Sequence, residues 1–429
     1  MREDRISTAS EGTAPLPRAA AVPAAHVQAA ASPEVRAAAS APRVRIEAVD
    51  VVRGVIMILM ALDHTRDFFG DAAASPTNLA SASAGLFMTR WITHFCAPVF
   101  FLLTGTGAFL ARRRRTVGDL SRFLLTRGLW LIFLELVVMR CLGWQFNFDY
   151  RVTMVTVLWA LGWSMIALAG LIHLPVRAIV AIGVVMIVGH NAFDGVPAAS
   201  FGSFAPLWNV LHAPGVLFAN GTRMVFLAYP LVPWIGVTAV GYGLGQVYDW
   251  DAARRRAFLL RLGAGLTVSF VVLRALNVYG DPGPWAAQKT PLFTALSFLN
   301  TNKYPPSLLF LLMTLGPATL LLRAVDARTP RLLGPALIIG RVPMFYYVLH
   351  VVLLHLIAVA MSAIRFGDVH WMFESPTIDK FPVTQPPGWP LPLPAVYLVW
   401  LSVVVLLYPL CRWFAALRQR RSDWWLSYL

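Results

Sequence analysis

Charged side chains make up only 13% of this 429-residue chain, against about a quarter in a soluble domain. That scarcity excludes an ordinary water-soluble fold. Acid is scarcer than base: 21 Asp and Glu face 36 Lys and Arg, a formal charge of +15. The excess is not a nucleic-acid signature. Most of the Arg sits in short loops between apolar runs, as in the cytoplasmic loops of membrane proteins. Cysteine is nearly absent. Cys96, Cys141 and Cys411 are odd in number and lie in or beside apolar runs, so neither a disulfide framework nor a metal-ligand spacing is readable. No internal repeat is evident, which weighs against a transporter built from duplicated halves. Residues 1–42 are rich in Ala and Pro and lack an apolar h-region; they read as a disordered cytoplasmic tail, not a signal peptide.

What the chain has in abundance is apolar sequence. Hydrophobic residues reach 58% and mean hydropathy is +0.64. Runs of the ~20 residues needed to cross a bilayer recur near 47–69, 88–111, 121–142, 152–173, 175–191, 223–247, 256–279, 304–325, 339–364 and 394–416. The expectation is an all-α polytopic membrane bundle of about ten transmembrane helices over residues 43–416, or eleven if Leu332 to Ile339 forms a short extra span. A basic C-terminal tail follows over 417–429. Arg112 to Arg115, Arg254 to Arg256, Arg328, Arg331, Arg418, Arg420 and Arg421 fall on one side if the helices alternate. That side, with both termini, is then cytoplasmic in a multi-pass protein of the inner (plasma) membrane. The opposite loops, 70–87, 192–222, 280–303 and 365–393, are long and poor in Arg, and carry Trp208, Trp285, Trp371 and Trp389. They are expected to roof a cavity.

The first run, Arg45 to Phe69, carries Asp50, Arg53, Asp63, His64, Arg66 and Asp67. Ionisable groups in a spanning helix are costly and usually face protein or a water-filled cavity. At about 100° per residue, Asp50, Arg53, Met57, Met60, His64 and Asp67 share one stripe, while Val55, Ile58 and Leu62 lie opposite and suit lipid. His64 sits about 16 Å beyond Arg53 along the axis. A neutral imidazole is a suitable general base near neutral pH. Asp67, three residues on, is placed to orient it, and Asp63 to brace a neighbouring helix. Catalysis and a merely hydrogen-bonded helix end both fit this pattern.

Arg90 and His94 form a similar stripe on the returning second helix, at a depth like that of His64. His94 either shares an acceptor site with His64 or makes an interhelical hydrogen bond; no third ligand at metal spacing is evident. In Gly340 to His350, Pro343 opens the helix ladder. Arg341 lies toward the cytoplasmic side, suited to a phosphate or carboxylate or to a salt bridge with Asp50, and Tyr346 and His350 lie deeper. Gly241, Gly243 and Gly245 permit close helix contact. Asn300 to Ser307 suits either a bound sugar or ordinary capping.

Taken in order, the run Arg45, Asp50, Arg53-Gly54, Met60, Asp63-His64 and the segments YPLVPWIGVTAVGYGLG, TNKYPPSLLFLLMTLGP and GRVPMFYYVLH resemble the heparan-α-glucosaminide N-acetyltransferase catalytic-domain family, in its bacterial members. The resemblance covers about residues 43–415. It implies transfer of an acyl group, acetyl above all, from cytosolic acyl-coenzyme A to an amino or hydroxyl group of a sugar or glycan across the membrane. The lysosomal enzyme of that family has its His in a Lys-His-Ala-Ser-Trp context before its second main helix; here the region reads Ala-Ser-Ala-Gly-Leu-Phe, so His64 or His94 must stand in. The expected catalytic set is His64, Asp67, His94 and Asp63. The set expected to bind acyl-coenzyme A is Arg53, Asp50, Arg341 and His350, with the Arg112–Arg115 loop available to its phosphates. No metal and no nucleic acid are expected. Membrane lipids are partners, and a homodimer is compatible with the sequence. The competing reading is a transporter or exporter of a polar or glycolipid substrate, its intramembrane ions serving binding or gating.

Overall fold

A computed structural model describes residues 46–421 and 423–427. The expected tail over 1–42, and Arg45, lie outside the described residues. The chain is mostly helical, as a backbone crossing hydrocarbon must be to satisfy its own hydrogen bonds. Helix α1 (Glu47–Phe69) is followed by α2 (Ala84–Thr93) and α3 (Cys96–Arg112), which form one 29-residue apolar run. Then come α4 (Val117–Phe133), continued by a π-helical stretch Leu134–Trp144, strand β1 (Val152–Val155), α5 (Val157–Leu171) and α6 (Val176–Gly189). Short α7 (Ala205–Leu211) leads to β2 (Gly215–Asn220) and β3 (Arg223–Leu227), and α8 (Leu231–Leu244) and α9 (Ala252–Leu276) follow. Helix α10 (Pro291–Leu299) precedes α11 (Leu308–Asp326), α12 (Gly334–Arg341), α13 (Pro343–Phe366) and α14 (Leu393–Arg420).

Among the described residues, six helical stretches are long and apolar enough to cross a membrane: α2–α3, α6 with the turn after it, α9, α11, α13 and α14. Their exposed faces are themselves apolar. Leu398, Leu401, Val405 and Leu406 of α14 and Val268, Val271 and Leu276 of α9 face outward, which suits lipid rather than water.

Two expected spans begin in strand instead of helix. Residues 152–155 and 223–227 pair in parallel, Val152 with Met224 through Val155 with Leu227, and β2 adds antiparallel to β3. A short apolar run does not by itself distinguish strand from helix. Here pairing across 71 intervening positions decides, and Pro230 then starts α8. A small three-stranded sheet thus qualifies the all-α expectation.

Hydrogen bonds sort the connections into two ends. At one, Arg113 pairs with Asp249, Arg255 with Asp326 and Arg341 with Glu47, and Arg418 donates to the Arg341 carbonyl. At the other, Leu391 donates to Phe69, Gln385 to Gly70, Asn300 to Thr77, Asn147 to Phe373, and the Leu308 amide to Asn191. The long Arg-poor loops therefore knit together over one end. Thr116 and Asp251 cap helices at the Arg-rich end, and Ser83, Thr290 and Ser307 cap helices at the other. The Asn300–Ser307 segment thus takes ordinary capping roles.

Helix α1 is the hub: α2, α3, α11, α12, α13 and α14 all pack against it. Leu62 is consequently buried, and the Ile58 carbonyl accepts from Trp400 of α14. The expected lipid face of α1 is covered by protein, because the Val55–Leu62 side meets α14. On the other side α1 and α12 touch backbone to backbone. A Cβ on Gly54 would collide with the Ala336 carbonyl, and one on Gly340 with the Asp50 carbonyl. Gly241 of α8 meets the Leu102 carbonyl of α3 in the same way, and Thr106 donates to the Gly241 carbonyl. Overpacking of this kind costs ~1–3 kcal/mol or more. Gly54→Val should therefore lower the thermal midpoint of the detergent-solubilised protein by several degrees. Gly107→Ala, where an added Cβ meets open space, should leave it near wild type. Equal midpoints for the two variants would contradict the packing described.

Candidate active site

Helices α1 and α13 run side by side in the same direction from the Gly54–Gly340 contact. Ten residues beyond Gly54 on one and ten beyond Gly340 on the other, His64 and His350 meet. His64 Nδ1 lies 2.7 Å from His350 Nε2, with the rings 7° from parallel. His350 Nδ1 lies 2.9 Å from the Tyr346 carbonyl. A carbonyl only accepts, so Nδ1 of His350 carries the proton. In a neutral ring its Nε2 is then the acceptor, and His64 Nδ1 is the donor. The chain of bonds leaves the lone pair of His64 on Nε2. His350 is fully buried and His64 partly exposed, so the free nitrogen belongs to the more accessible ring.

Aromatic rings hold the pair. Trp144, the last residue of the π-helical stretch, stands edge-on to His64 with centroids 4.8 Å apart, and Tyr347 does so at 6.0 Å. Phe68 stacks on Trp144 at 5.6 Å. A π-helical turn inside an α-helix often marks a functional site; here it carries Trp144 toward α1 and buries Glu135 on Thr156. Several buried polar atoms nearby have no partner among the described residues: Gln145 Oε1, Tyr346 Oη, and Trp144 Nε1 with Tyr347 Oη, which are neighbours but lie outside hydrogen-bond geometry. Unpaired polar groups in a dry site are expensive, and their concentration here is what a polar ligand would relieve. Trp144 and Gln145 were not apparent as site residues in the sequence, where the Gly-Trp-Gln triplet at the end of an apolar run was their signal; Tyr347 lies within the GRVPMFYYVLH segment but was not singled out there.

The carboxylates take other roles. Asp63 accepts from Arg90 at 2.6 and 2.7 Å, from Arg66 at 3.1 Å and from Thr93 at 3.0 Å. It braces α2, as expected. Asp67 departs from expectation. Arg66 takes its carboxylate at 2.5 Å, and the His64 ring is oriented by His350 instead. Arg66 lies three residues after Asp63 and directly before Asp67, so one guanidinium reaches both. His94 does not join His64. It is buried edge-on to Phe310 at 5.3 Å, with Nδ1 unpaired, in the electrostatic neighbourhood of Arg90, Lys303 and Asp63. Lys303, from the capping segment before α11, also acts on Asp63 and His64.

Nearer the Arg-rich end, Arg53 pairs with Asp50 at 2.9 Å and donates to the Gly340 carbonyl at 3.3 Å. Arg341 lies 3.5 Å from Glu47, so the partner seen for Arg341 is the acid one turn before Asp50. These four residues and His350 all lie on or against α1, and they form an interrupted polar file along it. A separate cavity of about 550 Å³, lined almost wholly by apolar residues of α6, α8, α9 and α11, contains none of them.

Breaking a buried ion pair by removing one partner costs ~3–5 kcal/mol. Arg90→Ala should therefore destabilise the protein far more than Asp67→Asn, whose partner Arg66 keeps Asp63. Thermal unfolding of the two variants in the same detergent checks this, and a milder effect for Arg90→Ala would remove Asp63 from its central place.

No curated protein matches the chain. The family described as heparan-alpha-glucosaminide N-acetyltransferase, catalytic, matches residues 45–279, more than half of its length and including α1 with His64. The chain belongs to that acetyltransferase family of membrane proteins.

Proposed function

We propose that this protein is a multi-pass acetyltransferase that moves an acetyl group from cytosolic acetyl-coenzyme A to an amino or hydroxyl group of a sugar or glycan on the opposite face of the membrane. The observation that carries the reading is the bond chain from the Tyr346 carbonyl through His350 to His64, which leaves His64 Nε2 free to accept a proton. In this reading the Arg-rich end is cytoplasmic. Ten spans then cross: α1, α2–α3, α4, α5, α6, α8, α9, α11, α13 and α14. The short α12 is not an eleventh, and both termini of the described chain are cytoplasmic.

The donor is a substrate with several phosphates and a thioester. Arg112 to Arg115 are exposed at the cytoplasmic end, and Arg53 and Arg341 continue the positive charge inward, each tempered by one acid. Guanidinium groups suit phosphate. Arg53, Asp50, Arg341 and His350 thus mark the donor's path along α1, and His64 waits near its far end.

His64 Nε2 removes the proton of the acceptor N–H or O–H as that atom attacks the thioester carbonyl. A C–N or C–O bond forms, the C–S bond breaks, and the leaving thiolate takes the proton back from His64. Trp144 Nε1 and Tyr347 Oη are the donors available to the oxyanion of the tetrahedral intermediate. Asp63, held by Arg90, sets the electrostatic surroundings in which imidazolium forms. Asp67 and His94 belong to the same charged cluster, on the acceptor side.

A positioned general base contributes about 10²–10⁴ in rate. His64→Ala should lose at least ~10²-fold in acetyl transfer from acetyl-coenzyme A to glucosamine, with the protein still folded. His350→Ala should lose less, since it removes the tautomer guide and leaves the base. Near-normal turnover by purified His64→Ala would overturn the assignment. Saturable acetyl-coenzyme A binding, weakened by Arg53→Ala, should accompany the activity; substrate flux in proteoliposomes without such binding would favour an exporter instead.

A further inference from the structure

Far from His64 in the chain, the excursion between α6 and β2 carries a second cluster of ionisable groups. His190 follows the end of α6, Asp194 lies one turn later, and His212 caps α7. One donor atom from each lies within 4.8 Å of the others. His212 Nε2 is 3.5 Å from Asp194 Oδ1. In a tetrahedral zinc site with bonds of ~2.1 Å, neighbouring ligand atoms are roughly 3.4 Å apart. One edge of such a tetrahedron is therefore already in place, and the other two are no longer than 4.8 Å.

His190 supplies the independent observation. It is 97% buried, being only 3% exposed, yet neither ring nitrogen has a hydrogen-bond partner among the described residues. The Pro306 backbone is close but not in bonding geometry. A buried imidazole with two unmet nitrogens is costly, and a cation accepting one lone pair removes half of that cost. The surroundings are those of a ligand set held in place. Asn191 donates to Asp194 Oδ2 at 2.8 Å, fixing the carboxylate as outer partners of metal ligands do. Trp208 packs on His212 at 4.9 Å, and its indole N–H holds the Val196 carbonyl at 3.1 Å. His212 is buried and the Asp194 side chain is 19% exposed, so an ion has two buried ligands and one entry side.

We propose that His190, Asp194 and His212 bind a divalent transition-metal ion, zinc by their two-imidazole, one-carboxylate chemistry, with water as the fourth ligand. The ion joins the end of α6 to the end of α7, closing the 191–211 excursion into a loop. Asn191 also accepts from the Leu308 amide at the start of α11, so the clamp fixes this part of the roof to two helices. The site is separate from the residues proposed for acyl transfer, and an ion there departs from the expectation, drawn from the sequence, that the chain holds no metal.

The test uses the full-length protein in detergent, stripped with chelator and dialysed. Titration with zinc(II), read by elemental analysis and calorimetry, should give one ion per chain. Cobalt(II) should give the visible absorption of a four-coordinate site, and zinc should raise the thermal midpoint of the stripped protein. His190→Ala and His212→Ala should lose the ion, the cobalt spectrum and the zinc-dependent rise. Asp194→Asn, a change at the exposed edge that spares folding, should weaken binding by at least tenfold. His370→Ala, in the exposed His370–Glu374 pair, should change nothing. Equal metal content in wild type and Asp194→Asn, or loss of metal in His370→Ala alone, would overturn the proposal whatever the enzyme's activity.

Discussion

A carboxylate inside a helical bundle must find positive charge or hydrogen bonds, because water is not there to supply them. Asp63 finds both, with Arg90 across the interface and Arg66 and Thr93 nearby. That neutralisation joins α1 to α2, and it lets a second acid and two more histidines sit at the same depth. It also releases His64. Had Asp63 or Asp67 been unpaired, the imidazole beside them would have been their natural partner. Instead His64 turns to a neutral histidine on another helix.

Position along the membrane follows from backbone contact. Gly54 and Gly340 let α1 and α12 approach closely, which fixes where α13 begins relative to α1. Residues ten positions further along each chain then meet. The same contact sets Arg53 against the Gly340 carbonyl. One pair of glycines therefore registers both the positive entrance and the histidine pair. The roof is built differently, from loop side chains that cap helices and bond to one another's carbonyls, with a small sheet and the His190–Asp194–His212 cluster at one side.

Much of this was legible in the chain itself. The bounds of α1 match the apolar run at 47–69, and the charged stripe on that run contains the residues that meet α12 and α13. The membership of an acetyltransferase family was visible in ordered motifs. The partner of His64 was not, because α1 and α13 are separated by nearly 300 residues and nothing local marks His350 as its neighbour. The same reason hid the contacts of Trp144 and Tyr347 with His64. Asp67 was misjudged because helical offset tells which residues share a face, not which of two nearby groups an arginine will take first.

By itself the sequence determined the solvent: scarce charge and repeated apolar runs leave a hydrogen-bonded helical bundle as the stable form in lipid. It also determined which helix carries ionisable groups, since no lipid-facing segment tolerates six of them. Only the tertiary structure decided which ions neutralise each other, which face of α1 meets protein, and which histidine nitrogen keeps its lone pair. Those outcomes depend on contacts between helices distant in sequence, where a shift of one turn would exchange every partner.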